Sequence, residues 1–300
     1  MQATPAGSAP QGRTPARSEP DGDPAGRRLS PLNLAFFAAV HAGAIASLAW
    51  FSWTNLAVML VLYVATGLGI TVGYHRLLAH HAFRVPPWLE RALATVGAMA
   101  MQGGPITWVS DHRQHHFHAD HEGDPHDIER GLFFAHMGWL CYANTPEVDR
   151  RRNEKYARDL CASPYLRWLE RYHYLPGVCV GIALALAGGV GLFLWGFCTR
   201  VVVLYHATWM VNSVAHKWGY RPFADAPGTN SWLVAALAFG EGWHNNHHAW
   251  PGSARQGLRA WELDPSWLAI AALARLRLAR EVRVCRLDRA RPGAGRMVEL

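Results

Sequence analysis

Apolar and polar positions alternate along this chain on the scale of whole helices rather than single residues. Four apolar runs stand out, Leu34 to Trp53, Leu56 to Tyr74, Pro176 to Cys198 and Val201 to Ala215. A helix needs roughly 20 apolar residues to cross a bilayer core; the first three runs meet that need and the fourth falls short. Thr54–Asn55 separates the first pair and Thr199–Arg200 the second, so two transmembrane hairpins are predicted. The charge of Arg200 and the shortness of the fourth run leave a buried soluble helix open at 201–215.

Residues 1–30 are rich in Pro, Gly, Ala, Ser, Arg and Asp and nearly free of large apolar side chains. Such a segment cannot offset the entropy of ordering, and a disordered tail is predicted there. It also lacks the apolar stretch and small-residue cleavage site of a secretory signal. The expected organisation is therefore a tail over 1–30, a membrane domain over 31–275 and a basic tail over 276–300.

The formal net charge of +7 suits either nucleic acid or an anionic membrane face, and the placement of the arginines decides between them. Arg13, Arg17, Arg27 and Arg28 precede the first run; Arg76, Arg84, Arg91, Arg113 and Arg150 to Arg152 lie between the hairpins; many more follow the fourth run. By the positive-inside rule the N-terminus, the central loop and the C-terminal region face the cytoplasm. A membrane protein with no nucleic-acid partner is expected. The five cysteines form no CxxC pair, which argues against a disulfide framework or a thiolate metal site.

The candidate chemistry lies on that same side. His75 and His80 follow the second run, His112, His115 and His116 lie in the central loop, His216 ends the fourth run, and His244, His247 and His248 follow it. Neutral imidazole is a nitrogen ligand suited to iron, zinc or copper. In His112-Arg113-Gln114-His115-His116 the i, i+3, i+4 spacing puts three rings on one helical face, and His244 to His248 repeats it. His75 and His80, at i and i+5, would point about 140° apart on an α-helix, which suits service to two metals better than chelation of one. This many imidazoles exceed what one metal accepts with positions left open, so two metals are the economical count. His41, His81, His136, His173 and His206 read as ordinary hydrogen-bonded or packed side chains.

The motifs HRLLAH (75–80), HRQHH (112–116) and HNNHH (244–248) resemble the three histidine boxes of the membrane fatty-acid desaturases. The surrounding GYHRLLAHHAF, WVSDHRQHHFHADHEGDPH, NSVAHKWGYRPF and GEGWHNNHHAWPGSARQG are similar to the acyl-CoA and acyl-lipid delta-9 branch, over about residues 34–265. The resemblance implies an all-α integral-membrane fold, four transmembrane helices under a cytoplasmic helical cap that carries a di-iron site. It implies two Fe as cofactor, O2 as co-substrate and insertion of a cis double bond into a saturated chain at the delta-9 position. It further implies iron ligation by the nine histidines named above, a water held by Asn212, and an acyl tunnel whose bend is lined by Gln102, Trp108 and Thr208. Their bland reading is core packing. The implied partners are an acyl-CoA or acyl-lipid substrate, membrane lipid, and a separate electron donor such as a ferredoxin or a cytochrome b5-like protein with its reductase; the implied location is a bacterial inner membrane.

Asp120, Glu122, Asp124 and Asp127 crowd the stretch after the second box. They are expected to accept hydrogen bonds from the ligating imidazoles, with a solvated acidic loop as the alternative. A related membrane hydroxylase shares such boxes. A metal transporter would instead place His and acidic residues inside the spans, and a scaffold with decayed boxes would have lost box histidines.

Overall fold

A computed structural model describes residues 27–288 and 294–300, so the tail expected over residues 1–30 lies outside the described residues up to residue 26. The described chain is mostly helical. Three helical stretches are long and apolar enough to cross a membrane: Pro31–Trp50, Trp53–Ala79 and Tyr174–Lys217. The first begins with α1 (Pro31–Ser47), where Ser30 Oγ accepts from the Asn33 amide and Pro31 occupies the first turn. The chain straightens at Phe51–Ser52, and Ser52 caps α2 (Trp53–Leu68) in the same way. This is the first hairpin, within three residues of where the sequence placed it. Large apolar side chains such as Leu32, Ile45, Trp53 and Val61 point outward along these stretches, as surfaces facing hydrocarbon do, whereas Gly69–Ala79 at the end of the second is buried.

The third stretch is not one straight rod. Within α9 (Tyr174–Phe193), Gly188 and Gly189 leave helical geometry, and Gly189 has φ +67° with ψ −158°, a region essentially reserved for glycine. Gly181 then lies against the Phe197 ring and Gly196 against Leu184, neighbours that only a chain doubling back can have. The reversal therefore sits about ten residues before the expected turn at Thr199–Arg200. Arg200 is instead fully buried at the start of α10 (Arg200–Asn212), donating to the carbonyls of Gly196 and Met99. A short wide-wound segment, Leu194–Thr199, lies within the second arm and runs straight into α10.

The cap is assembled from shorter helices: α3 (Pro87–Ala98), α4 (Pro105–His118), α5 (Leu132–His136), α6 (Pro146–Tyr156), α7 (Arg158–Cys161), α8 (Pro164–Arg171), α11 (Val214–Lys217), α12 (Trp232–Leu237), α13 (His244–Ala249) and α14 (Pro265–Arg275). Proline opens α3, α4, α6, α8 and α14, where its missing N–H costs no hydrogen bond. Two small antiparallel ladders interrupt the helical pattern. β1 (Arg28–Leu29) pairs with β2 (Tyr142–Ala143), and β3 (Arg283–Leu287) with β4 (Gly295–Glu299). The latter pair falls within the region expected as a basic tail; residues 289–293 of that region lie outside the described residues. Val282, Val284 and Cys285 turn inward while Arg286 points out, and Arg283 donates to the carbonyls of His80 and His81. The strand signal was hidden by the arginines that intersperse it.

Arg76 ties the cap to the second span. Buried completely, it donates to the Ala254 carbonyl at 2.8 Å, to Asp264 at 2.9 and 3.1 Å and to Glu241 at 3.2 Å. Removing one partner of a buried ion pair costs roughly 3–5 kcal/mol, because the other charge is left without compensation. Arg76→Met is therefore expected to lower the thermal midpoint of the detergent-solubilised protein steeply, measured by tryptophan fluorescence. A midpoint within a degree or two of wild type would show that the clasp contributes little.

Candidate metal centre

The first histidine motif sits on a helix wound more widely than an α-helix. From Gly69 to Ala79 the chain forms a π-helix, and the His80 amide donates to the His75 carbonyl at 3.1 Å. An i→i+5 hydrogen bond brings residues five apart onto one face. The rings of His75 and His80 accordingly lie 4.9 Å apart, centroid to centroid, and point to the same place. This corrects the expectation that they diverge: the 140° angle assumed α-helical winding, and this segment does not have it.

The second and third motifs divide their rings in complementary ways. On α4, His112 and His116 join His75 and His80, together with His247 of α13; these five offer ligand atoms all within 4.8 Å of one another. His115 points to a second group, with His216 of α11 and His244 and His248 of α13, packed within the same limit. In each motif the i, i+4 pair serves one group and the ring between them the other. The eight motif histidines and His216, the ninth ligand that the resemblance implies, are thus brought together, five and four.

The inward atoms are Nε2 nitrogens at hydrogen-bonding distance from one another. His247 Nε2 lies 3.1 Å from His75 Nε2 and 2.8 Å from His116 Nε2. His244 Nε2 lies 2.8 Å from His216 Nε2 and 3.0 Å from His248 Nε2. The outward Nδ1 atoms meet carboxylates: His75 faces Glu241 at 2.5 Å, His115 faces Asp124 at 2.8 Å and His216 faces Asp120 at 2.7 Å. A carboxylate accepts from Nδ1–H, which leaves Nε2 as a bare lone pair aimed inward. Burial, and then the neighbouring histidines, pull His80, His112, His116, His244, His247 and His248 well below the ordinary histidine range. The rings are neutral near pH 7, and lone pairs facing lone pairs in a buried space repel unless a Lewis acid sits between them. The donor set therefore fits metal ions.

The acidic stretch splits between its two readings. Asp120 and Asp124 face imidazoles, whereas Asp127 caps the turn at Ile128–Arg130 and Glu122 is exposed. Burial works to raise Asp124, but His126 and His115 outweigh it and hold its carboxyl well below the usual range. His126, itself pushed down to about 3 by burial against the pull of Asp124, packs 4.2 Å from the His115 ring. Sequence reasoning missed His126, Glu241 and Gln256, whose amide lies 3.2 Å from His247 Nδ1. The Gln256 oxygen has no other partner, so turning the amide over gives His247 Nδ1–H its acceptor. Glu241 stood within the quoted GEGWHNNHH, three residues before His244, and His126 within GDPH; their nearness to box histidines was the available signal.

A cavity of about 820 Å³ runs beside both groups, lined by His75, His112, His115 and His244 and by apolar side chains from α1, α9 and α10. Gln102, Trp108, Thr208 and Asn212 all line it. Gln102 donates to Thr208 Oγ1 at 3.0 Å, and Trp108 stacks on His112 at 5.3 Å. Met101, with φ +62°, is held by the Tyr205 hydroxyl on its carbonyl. The irregular backbone between α3 and α4 is thereby held by α10.

Comparison with known proteins agrees with this geometry. The family model described as fatty acid desaturase matches residues 50–275, a stretch that contains all three motifs. The chain is 44% identical over 261 residues to an sn-1 stearoyl-lipid 9-desaturase of Anabaena variabilis, covering 86% of this chain and 95% of that protein. It is 44% identical over 258 residues to an sn-2 palmitoyl-lipid 9-desaturase of Nostoc sp. (strain 36), covering 85% and 90%. It is 41% identical over 240 residues to delta-9 acyl-lipid desaturase 1 of Arabidopsis thaliana, covering 78% and 77%. With nine converging imidazoles, three long apolar helices and this extent of similarity, the chain belongs to the fatty acid desaturase family.

Proposed function

We propose that this protein is a membrane acyl-lipid desaturase that inserts a cis double bond at the delta-9 position of a saturated chain. The observation that carries the reading is an apolar cavity running past two groups of converging imidazoles. The overall reaction takes two hydrogens from adjacent methylenes, O2, two electrons and two protons, and yields the alkene and two waters. The electrons come from a separate donor protein, a ferredoxin or a cytochrome b5-like protein with its reductase. In the membrane the chain makes four crossings, since the third apolar stretch doubles back at Gly188–Gly189. The arginine distribution puts both termini and the site on the cytoplasmic face, of the inner membrane in a bacterium.

His75, His80, His112, His116 and His247 would hold one iron, and His115, His216, His244 and His248 the other, with Asn212 reaching the second through a water. Bound irons supply the activation of O2 that no side chain can provide. The chain's own residues perform the selection. Unactivated methylenes offer no chemical handle, so the cavity must choose the bond by position, and the Gln102–Thr208 pair with Trp108 shapes the wall beside the imidazoles. Asp120, Asp124 and Glu241 fix ring orientation by accepting from Nδ1–H and offset the metals' charge.

Single replacement of any box histidine by Ala is expected to abolish double-bond formation, read by chromatography of fatty acids from an expressing host. His41→Ala and His81→Ala, whose rings bond to His206 and Asp159, should keep most activity at normal expression. Two box variants with near wild-type product would refute the assignment. Asp124→Asn should weaken metal retention roughly 10–100-fold against a chelator while the protein still folds. Asn212→Leu should lower turnover with metal content unchanged; loss of all metal in that variant would make Asn212 a structural residue.

A further inference from the structure

We infer that the acyl chain enters the cavity sideways from the bilayer, through a slit between the cap ends of α1 and α9, while still esterified to a membrane glycerolipid. The inference rests on the acyl-lipid desaturase reading above and adds the route by which the chain reaches the cavity. Its starting point is which lining residues are also exposed. Leu32 on α1 lines the cavity and is 78% exposed; Tyr174 and Val178 on α9 line it and are 45% and 37% exposed. A side chain can meet both the interior and the outside only where the wall is open. Both helices belong to apolar stretches long enough to span a membrane, so the slit opens at the bilayer, with Leu32 and Tyr174 at the head-group level and Val178 one turn deeper.

The packing accounts for the opening. α1 and α9 both pack against Leu194–Thr199, towards the end of the spans away from the cap. At the cap end the cavity lies between them, with Tyr205, Thr208 and Trp209 of α10 forming its back wall. Phe37 of α1 holds its edge against Trp209 at 5.6 Å, which keeps the floor of the slit closed while Leu32 and Phe36 remain at its lip.

The polar rim above the slit is charge-balanced. Two arginines face two aspartates there: Arg152 pairs with Asp111 at 2.6 Å and with Asp149 at 2.9 Å, and Arg27 donates to Asn144 Oδ1 at 3.2 Å. A nucleotide-borne thioester carries several phosphate charges and would need cations not already paired. A glycerolipid with an uncharged or zwitterionic head needs none. Its head group would remain at the level of the first turn of α1, where this rim stands, and its chain would pass from bilayer to cavity without its methylenes being transferred to water, an unfavourable step for each one.

The full-length, metal-loaded protein would be placed in nanodiscs of 1-stearoyl-2-oleoyl phosphatidylcholine and given reduced ferredoxin. Leu32→Trp combined with Val178→Trp narrows both lips, and Leu186→Trp is a control on the outward surface of α9. The double variant should desaturate the lipid roughly tenfold or more slowly, with unchanged metal content, and the control should stay within about twofold of wild type. A second measurement needs no variant: a stearoyl lipid with a diazirine near its ester should crosslink to peptides carrying Leu32 and Tyr174–Val178. Wild-type rates in the double variant, crosslinks confined to the cap, or faster turnover of stearoyl-CoA supplied from water than of the bilayer lipid would each overturn the inference. If the wild-type protein with both metals bound desaturates neither substrate, the failure belongs to the desaturase reading and not to the route.

Discussion

Nine imidazoles whose Nε2 atoms converge on one another, six of them held neutral by burial, form an arrangement that is unfavourable by itself, and the rest of the structure depends on holding it. Neutrality follows from burial: a cation there would lose its hydration and meet its neighbours' charge. Direction follows from the outer ring of acceptors, since a carboxylate on Nδ1 leaves only Nε2 to point inward. Position follows from secondary structure. The π-wound end of the second span turns a five-residue spacing into one face, and two i, i+3, i+4 motifs on facing helices interleave their rings. The Arg76 clasp with Glu241 and Asp264 joins these requirements, because Glu241 also accepts from His75.

The membrane enters as a second constraint. Helices that cross a bilayer satisfy their own backbones, so irregular chain at depth must find partners within the protein. The stretch between α3 and α4 finds them on α10, where Arg200 donates to the Met99 carbonyl and Tyr205 to the Met101 carbonyl, while the Gln102 side chain donates to Thr208 Oγ1. The same helix is followed at once by α11, which carries His216. α10 therefore sets the cavity wall in register with the clustered imidazoles, and a selection made by distance along an acyl chain requires such a registration.

Much of this was legible in the sequence, and the exceptions have physical causes. The histidines of the second and third boxes were readable because their i, i+3, i+4 spacing matches one helical face, whereas the i, i+5 pair of the first box was expected to diverge. The turn at Gly188–Gly189 was not, since two glycines inside an apolar run look like helix-packing residues until one of them adopts a left-handed φ. The π-helix was hidden because i→i+5 bonding is chosen by packing and leaves no residue signature. Asp120 and Asp124 could be anticipated as a class, but their separation from Glu122 and Asp127 depended on how the loop after α4 folds back. The β3–β4 ladder was masked by arginines whose exposed positions made the segment look like a tail.

The most direct test of the account is the metal itself. Protein purified from iron-replete cells should contain two irons per chain by elemental analysis, and its Mössbauer spectrum should resolve two inequivalent sites, one with five nitrogen ligands available and one with four. A single iron per chain, or stoichiometric zinc in protein that still forms the double bond, would contradict it.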